Sequence, residues 1–239
     1  MPQIDVRRFA TRSELDGALA DRLERAIRAA ASQGGEVPVI MLSGGNTPLP
    51  AYRELAQRRP AAGGPLTIIY SDDRYVPAEA AASNYHQTQP LLAALALPED
   101  QVLRIRTELP LEECARDYEA RLRALLDHRA RIGVALLGLG ADGHTASLFR
   151  PEHLQQSRGH LAIAVQRPDG MQGISVTPDF LAHVAEPLFV VAGKGKHDAI
   201  AAFLRQDPNL IALRAVASHP RVELWFERAA ELAPSESTA

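Results

Sequence analysis

The chain has 239 residues, 46% of them hydrophobic and 23% charged, a composition that excludes an intrinsically disordered protein and can bury one large core. Its 26 basic and 29 acidic residues are spread along the sequence to a net charge of -3, so no basic face marks nucleic acid or a membrane surface as a partner. A single cysteine, Cys114, excludes an intrachain disulfide framework and a Cys-rich metal site.

Residues 1–9 are polar and charged, unlike an apolar signal segment, and no run approaches the roughly 20 apolar residues of a membrane helix. A cytoplasmic location is therefore expected. Thr11 and Glu14 form a capping-box pattern ahead of the stripe Leu15, Ala18, Leu19, Leu23, Ala26, Ile27, Ala30, which predicts a long amphipathic helix closing at Gly34-Gly35. Short apolar runs at 37–42, 66–70, 132–137 and 187–192, several separated by helical patterns, predict buried strands of a mostly parallel sheet. Between them Leu111, Cys114, Ala115, Tyr118, Leu122, Leu125 and Leu126 share a helical face, where the thiol reads as a small core group. Weaker strand signals at 161–165, 173–177 and 221–226 suggest additions at a sheet edge. The tail 233–239 is polar and expected to fray. One α/β domain over residues 1–239, an open and mostly parallel sheet flanked by helices, is the simplest account.

Three predicted strands run directly into unusual loops, and in open parallel sheets ligands bind outside the carboxyl ends of the strands. The first loop is Ser43-Gly44-Gly45-Asn46-Thr47-Pro48, whose paired glycines let backbone N–H groups approach an oxyanion such as phosphate; an ordinary strand-to-helix turn has the same pattern. It matches neither a Walker loop nor a GxGxxG fingerprint. The second is Ser71-Asp72-Asp73-Arg74-Tyr75-Val76-Pro77, with Ser83-Asn84-Tyr85 beyond it. Arg74 could polarise a carbonyl while Asp72 orients a hydroxyl, or the run could be a solvated salt-bridge cluster.

The third loop runs from Gly138 to Phe149 and holds His144 two residues after Asp142, in a glycine-rich turn suited to a general base. The other seven histidines lie outside such loops and read as surface or packing residues. They lack metal-ligand spacing, so no metal site is inferred. Ser147 lacks a G-x-S-x-G elbow, which leaves water as the nucleophile.

Taken together, LSGGNTP at 42–48, SDDRYVP at 71–77 with SNY at 83–85, and GLGADGHTASLF at 138–149 resemble the 6-phosphogluconolactonase family. The match in order and spacing runs from about Phe9 to Arg228. That resemblance implies a fold shared with glucosamine-6-phosphate deaminases and pentose-phosphate isomerases. It also implies hydrolysis of a phosphorylated sugar lactone, with no cofactor and no obligate protein partner. Two local differences separate the chain from the deaminases: Phe149 stands where they carry a carboxylate, and Arg74 follows two acids where they have an Asp-Glu-Tyr run.

The resemblance further implies Gly44, Gly45, Asn46, Thr47 and Lys196 at the phosphate, Asp72 and Arg74 at the reacting end, and His144 as base. Gly173 replaces an arginine that the family places near the phosphate, and Arg150, which departs from the family pattern, is the expected substitute. The alternatives to a lactonase are an amino-sugar-phosphate deaminase or isomerase on the same fold and a non-catalytic sugar-phosphate sensor. No helix-turn-helix module or basic segment favours the latter.

Overall fold

A computed structural model describes residues 1–29, 37–61 and 64–232. The expected helix terminus at Gly34-Gly35 and the polar tail 233–239 lie outside the described residues.

The chain opens with strand β1 (Gln3–Phe9) and helix α1 (Arg12–Ala29), followed by β2 (Val37–Leu42), α2 (Leu49–Arg58) and β3 (Thr67–Tyr70). One residue after β3, the short strand β4 (Asp72–Arg74) begins, then α3 (Asn84–Leu95), β5 (Val102–Leu103), α4 (Leu111–Asp127) and β6 (Ala130–Gly138). The remainder comprises α5 (Pro151–Gln156), β7 (Ala162–Gln166), β8 (Gln172–Val176), α6 (Pro178–Leu181), β9 (Val184–Val191), α7 (His197–Leu204), α8 (Ile211–Ala215), β10 (Arg221–Glu227) and α9 (Arg228–Glu231).

Seven strands form one sheet in the order β1-β10-β9-β6-β2-β3-β5, and every pairing in it is parallel. Its central strand β2 is apolar at every position because both faces are covered. In β2, Val39 and Met41 turn to the side packed by Cys114, Tyr118 and Leu122 of α4 and by Phe203 of α7. Ile40 and Leu42 turn to the other, against Leu15, Leu19 and Leu23 of α1 and Tyr52 and Leu55 of α2. Helix α1 starts where its capping box predicts: the Thr11 hydroxyl accepts from the Glu14 N–H at 3.2 Å, and the Glu14 carboxylate accepts from the Ala10 N–H at 2.9 Å.

The edge assignment is corrected for all three segments to which it was given. Strands β7 and β8 do not extend the main sheet; they form a separate antiparallel three-stranded sheet with β4. Strand β10 lies one place inside the edge, because β1 pairs along its whole length. Val222, Leu224, Trp225 and Phe226 can therefore be buried. The chain thus passes from the parallel sheet to the antiparallel one at Ser71, which carries Asp72 and Arg74 past the carboxyl end of β3. Among the described residues, no helix is long and apolar enough to cross a membrane.

Candidate active site

The three loops marked by the sequence meet at the carboxyl ends of β2, β3 and β6 around a cavity of about 460 Å³. Gly44, Gly45, Asn46, Thr47, Asp72, Arg74, His144 and Lys196 all line it, and among the described residues no other histidine does. Among the described residues, no three His, Cys, Asp or Glu side chains converge as metal ligands.

The glycine loop is held from three sides. The Tyr52 hydroxyl donates to the Ser43 carbonyl at 2.9 Å. The Gly45 N–H donates to Gln87 Oε1 at 3.3 Å. A Cβ on Gly44 would overlap the side-chain amide of Asn84, so this position must be glycine for the first and second loops to touch. Arg12 completes the brace: its Nη2 donates to the carbonyls of Asn46 (3.1 Å) and Thr47 (2.7 Å), while Nε is tied to Asp16 at 2.8 Å. Arg12 also lines the cavity. Sequence reasoning missed it because its partners stand 34 and 35 positions downstream, with no local pattern to announce them.

In the second loop the two acids and the arginine part company, which argues against a simple salt-bridge cluster. Asp72 is buried, with Oδ1 accepting from the Ser71 hydroxyl (2.8 Å) and Oδ2 from the Ser147 hydroxyl (2.7 Å). Arg74 directs Nη1 to the Ala82 carbonyl (3.0 Å) and to Asn84 Oδ1 (3.2 Å), and Asn84 in turn donates to the Asp72 carbonyl at 2.8 Å. Asp73 faces away from the cavity and caps the start of α3, accepting from the N–H groups of Asn84 (2.7 Å) and Tyr85 (3.1 Å) and from the Ser83 hydroxyl (3.0 Å). Burial pushes its carboxyl up to about 6, against the pull of those donors.

In the third loop His144 Nδ1 meets Asp142 Oδ1 at 2.5 Å. With Nδ1–H donating its hydrogen bond to Asp142, the free lone pair sits on Nε2. The hydrogen bond from His144 holds the Asp142 carboxyl below its ordinary range. The ring of Phe149 lies 4.3 Å from that of His144, giving the imidazole an apolar neighbour. Lys196, on the loop after β9, donates to the Leu139 carbonyl at 2.8 Å, and burial lowers its pKa.

Arg150 is a correction. It does not line the cavity, because it is the exposed residue preceding α5 and its Nη2 donates to the Gln166 carbonyl at 3.0 Å. A further cation in the cavity wall, besides Arg12, is Arg167, from the turn between β7 and β8. Its stem crosses Gly173, where an added Cβ would come within 3.3 Å of Arg167 Cδ. Gly173, with no side chain, thus leaves the space through which Arg167 reaches the cavity.

The chain has known counterparts. The family described as glucosamine-6-phosphate isomerases/6-phosphogluconolactonase matches residues 10–225. The 6-phosphogluconolactonase of Homo sapiens is 34% identical over 240 residues, covering 94% of this chain and 92% of its own length. Among solved structures, the 6-phosphogluconolactonase of Thermotoga maritima superposes with a TM-score of 0.79 at 23% identity, covering 95% of this chain and all of its own. A monomeric glucosamine-6-phosphate deaminase superposes at 0.75 with 16% identity, covering 94% of this chain and 98% of its own, so the fold alone does not separate the two activities.

Proposed function

The chain belongs to the glucosamine-6-phosphate isomerase/6-phosphogluconolactonase family, and we propose that it is the lactone hydrolase of that pair, converting 6-phospho-D-glucono-1,5-lactone and water to 6-phospho-D-gluconate. The observation that carries this reading is His144, paired with Asp142, facing one cavity together with Asp72, Arg74 and the glycine loop, with apolar Phe149 against the histidine.

In the proposed reaction, the phosphate is held by the N–H groups and Thr47 hydroxyl of the glycine loop and by Lys196, which orients the ring in the cavity. His144 Nε2 takes a proton from water as the water oxygen bonds to the lactone carbonyl carbon. Asp142 stabilises the imidazolium that forms. Arg74 faces the developing oxyanion, and Asp72 accepts from a sugar hydroxyl to fix the ring's orientation. Collapse of the tetrahedral intermediate breaks the bond to the ring oxygen, which takes the proton back from His144. No atom changes oxidation state.

A cytoplasmic location, a single catalytic domain and independence from a protein partner belong to the same proposal. Its test is a rapid-mixing assay of freshly generated phosphorylated lactone, corrected for spontaneous hydrolysis, with glucosamine 6-phosphate and an ammonia readout alongside. Lactone opening without ammonia release is expected. Ammonia release, or no acceleration over the spontaneous rate, would overturn the reading.

A further inference from the structure

Arg167 is fastened at several points of its own side chain, only 11% of which is exposed. Its Nε donates to Asp169 Oδ2 at 3.1 Å, its guanidinium lies 5.0 Å over the Phe149 ring, and its stem fills the space above Gly173. From there Nη1 donates to Ser147 Oγ at 2.8 Å, and Ser147 Oγ lies 2.7 Å from Asp72 Oδ2. The direction of this relay is fixed by the chemistry of its ends. A guanidinium has only donors and a carboxylate only acceptors, so the Ser147 hydroxyl must accept from Arg167 and send its single proton to Asp72. Ser147 itself is fully buried and its N–H is held by Ser175 Oγ at 3.1 Å, so the hydroxyl has a fixed base. The same Nη1 stands 3.9 Å from Asp72 Oδ2, adding direct attraction to the relay.

We propose that Arg167 is a positioning residue for the lactonase reaction: anchored by Asp169, Phe149 and the space above Gly173, it locks the Ser147 hydroxyl onto Asp72 and so fixes the carboxylate that orients the sugar ring. The inference rests on the lactonase reading and on the role given there to Asp72. Without the guanidinium, the Ser147 proton is free to rotate away and one Asp72 oxygen loses both its directed donor and its neighbouring charge.

The test uses Arg167→Gln, Arg167→Lys and Ser147→Ala, each also combined with Asp72→Asn, assayed with the phosphorylated lactone and with plain gluconolactone. Arg167→Gln is expected to lower kcat by about 10–100-fold, the size of a lost charge-assisted hydrogen bond, with KM held within about threefold. Arg167→Lys recovers part of the loss, because an ammonium reaches Ser147 but cannot also hold Asp169 and lie flat on Phe149. Ser147→Ala repeats the loss by the same route, even if Arg167→Gln fails to fold. In the Asp72→Asn background neither change costs more than about threefold, since the group they act through is already altered. Three results would each overturn the proposal: kcat unchanged in Arg167→Gln, a full additional loss in the Asp72→Asn background, or a loss confined to KM for the phosphorylated substrate, which would make Arg167 a phosphate ligand. If the unaltered protein opens no lactone, the functional reading falls and this proposal with it; an active protein with an unaffected variant sinks the proposal alone.

Discussion

His144 and Arg74 are asked to act at different moments of one reaction, and their variants should differ accordingly. His144→Ala or His144→Gln removes the base but leaves the cavity wall, so kcat is expected to fall by about 10²–10⁴-fold with little change in KM. Activity within a factor of two of the parent, in a variant with the parent's circular dichroism, would dismiss the histidine from the mechanism. Arg74→Ala should lower kcat/KM by about 10²–10³-fold, as for a lost oxyanion donor, and Arg74→Lys should recover only part. Nη1 of Arg74 already serves Ala82 and Asn84, so a lysine replacing it must choose between that anchorage and the substrate. Full recovery by lysine would reduce the arginine to a diffuse charge. These residues were legible in the sequence because each stands in a conspicuous loop directly after an apolar strand. Arg12 and Arg167 were not, since their meaning depends on acceptors 20 to 35 positions away and on the hollow above Gly173.

Among the elements, helices α1 and α4 and strands β2, β3, β6 and β9 followed from periodicity and capping, while the three-residue strand β4 was read as loop. Nothing in Asp-Asp-Arg resembles a strand; its extended form is imposed by pairing with β8, where Asp72, Asp73 and Arg74 stand opposite Ser175, Ile174 and Gly173. Asp73, at the junction of β4 and α3, gives this region a pH dependence. Its unfolded carboxyl titrates near 3.8 and its folded one at about 6, because burial disfavours the charge. The folded state therefore holds the proton more tightly, and the stability gained is fully present below the unfolded value and lost as pH rises through 6. Asp73→Asn cannot titrate and lacks this loss. Its destabilisation, measured by urea unfolding, should consequently be roughly 2 kcal/mol larger near pH 4.5 than near pH 7.5. Equal destabilisation at the two pH values would show that the donors around Asp73, the Arg74 N–H among them, cancel the effect of its burial.

At the scale of the molecule, the α/β class and the site's position at the strand ends were readable, but the division into two sheets was not, since short strand signals at 161–165 and 173–177 do not say which partner they will find. What the sequence did convey was the apolar layer between α4 and the sheet, with Cys114 inside it. That thiol is fully buried and its pKa is pushed up to about 12, so it is neither accessible nor ionised in the folded state. Labelling by a thiol reagent should therefore follow opening of the core, accelerating steeply with denaturant in parallel with global unfolding. Rapid labelling in native buffer would mean that α4 opens on its own.

The charges that hid β1 from sequence reasoning have a use at the rim of the sheet. Asp5, Arg7 and Arg8 lie on the outermost strand, and Arg7 covers the Trp225 ring at 4.3 Å. A strand from another copy approaching that rim would have to strip water from these groups to reach the unpaired backbone beyond them. At the opposite rim, β5 offers only two residues, too little backbone to template a stable pairing. The apolar strands between are thereby withheld from growth by strand addition, and what makes residues 3–9 look unlike a strand is also what lets this sheet end instead of continuing into a neighbour.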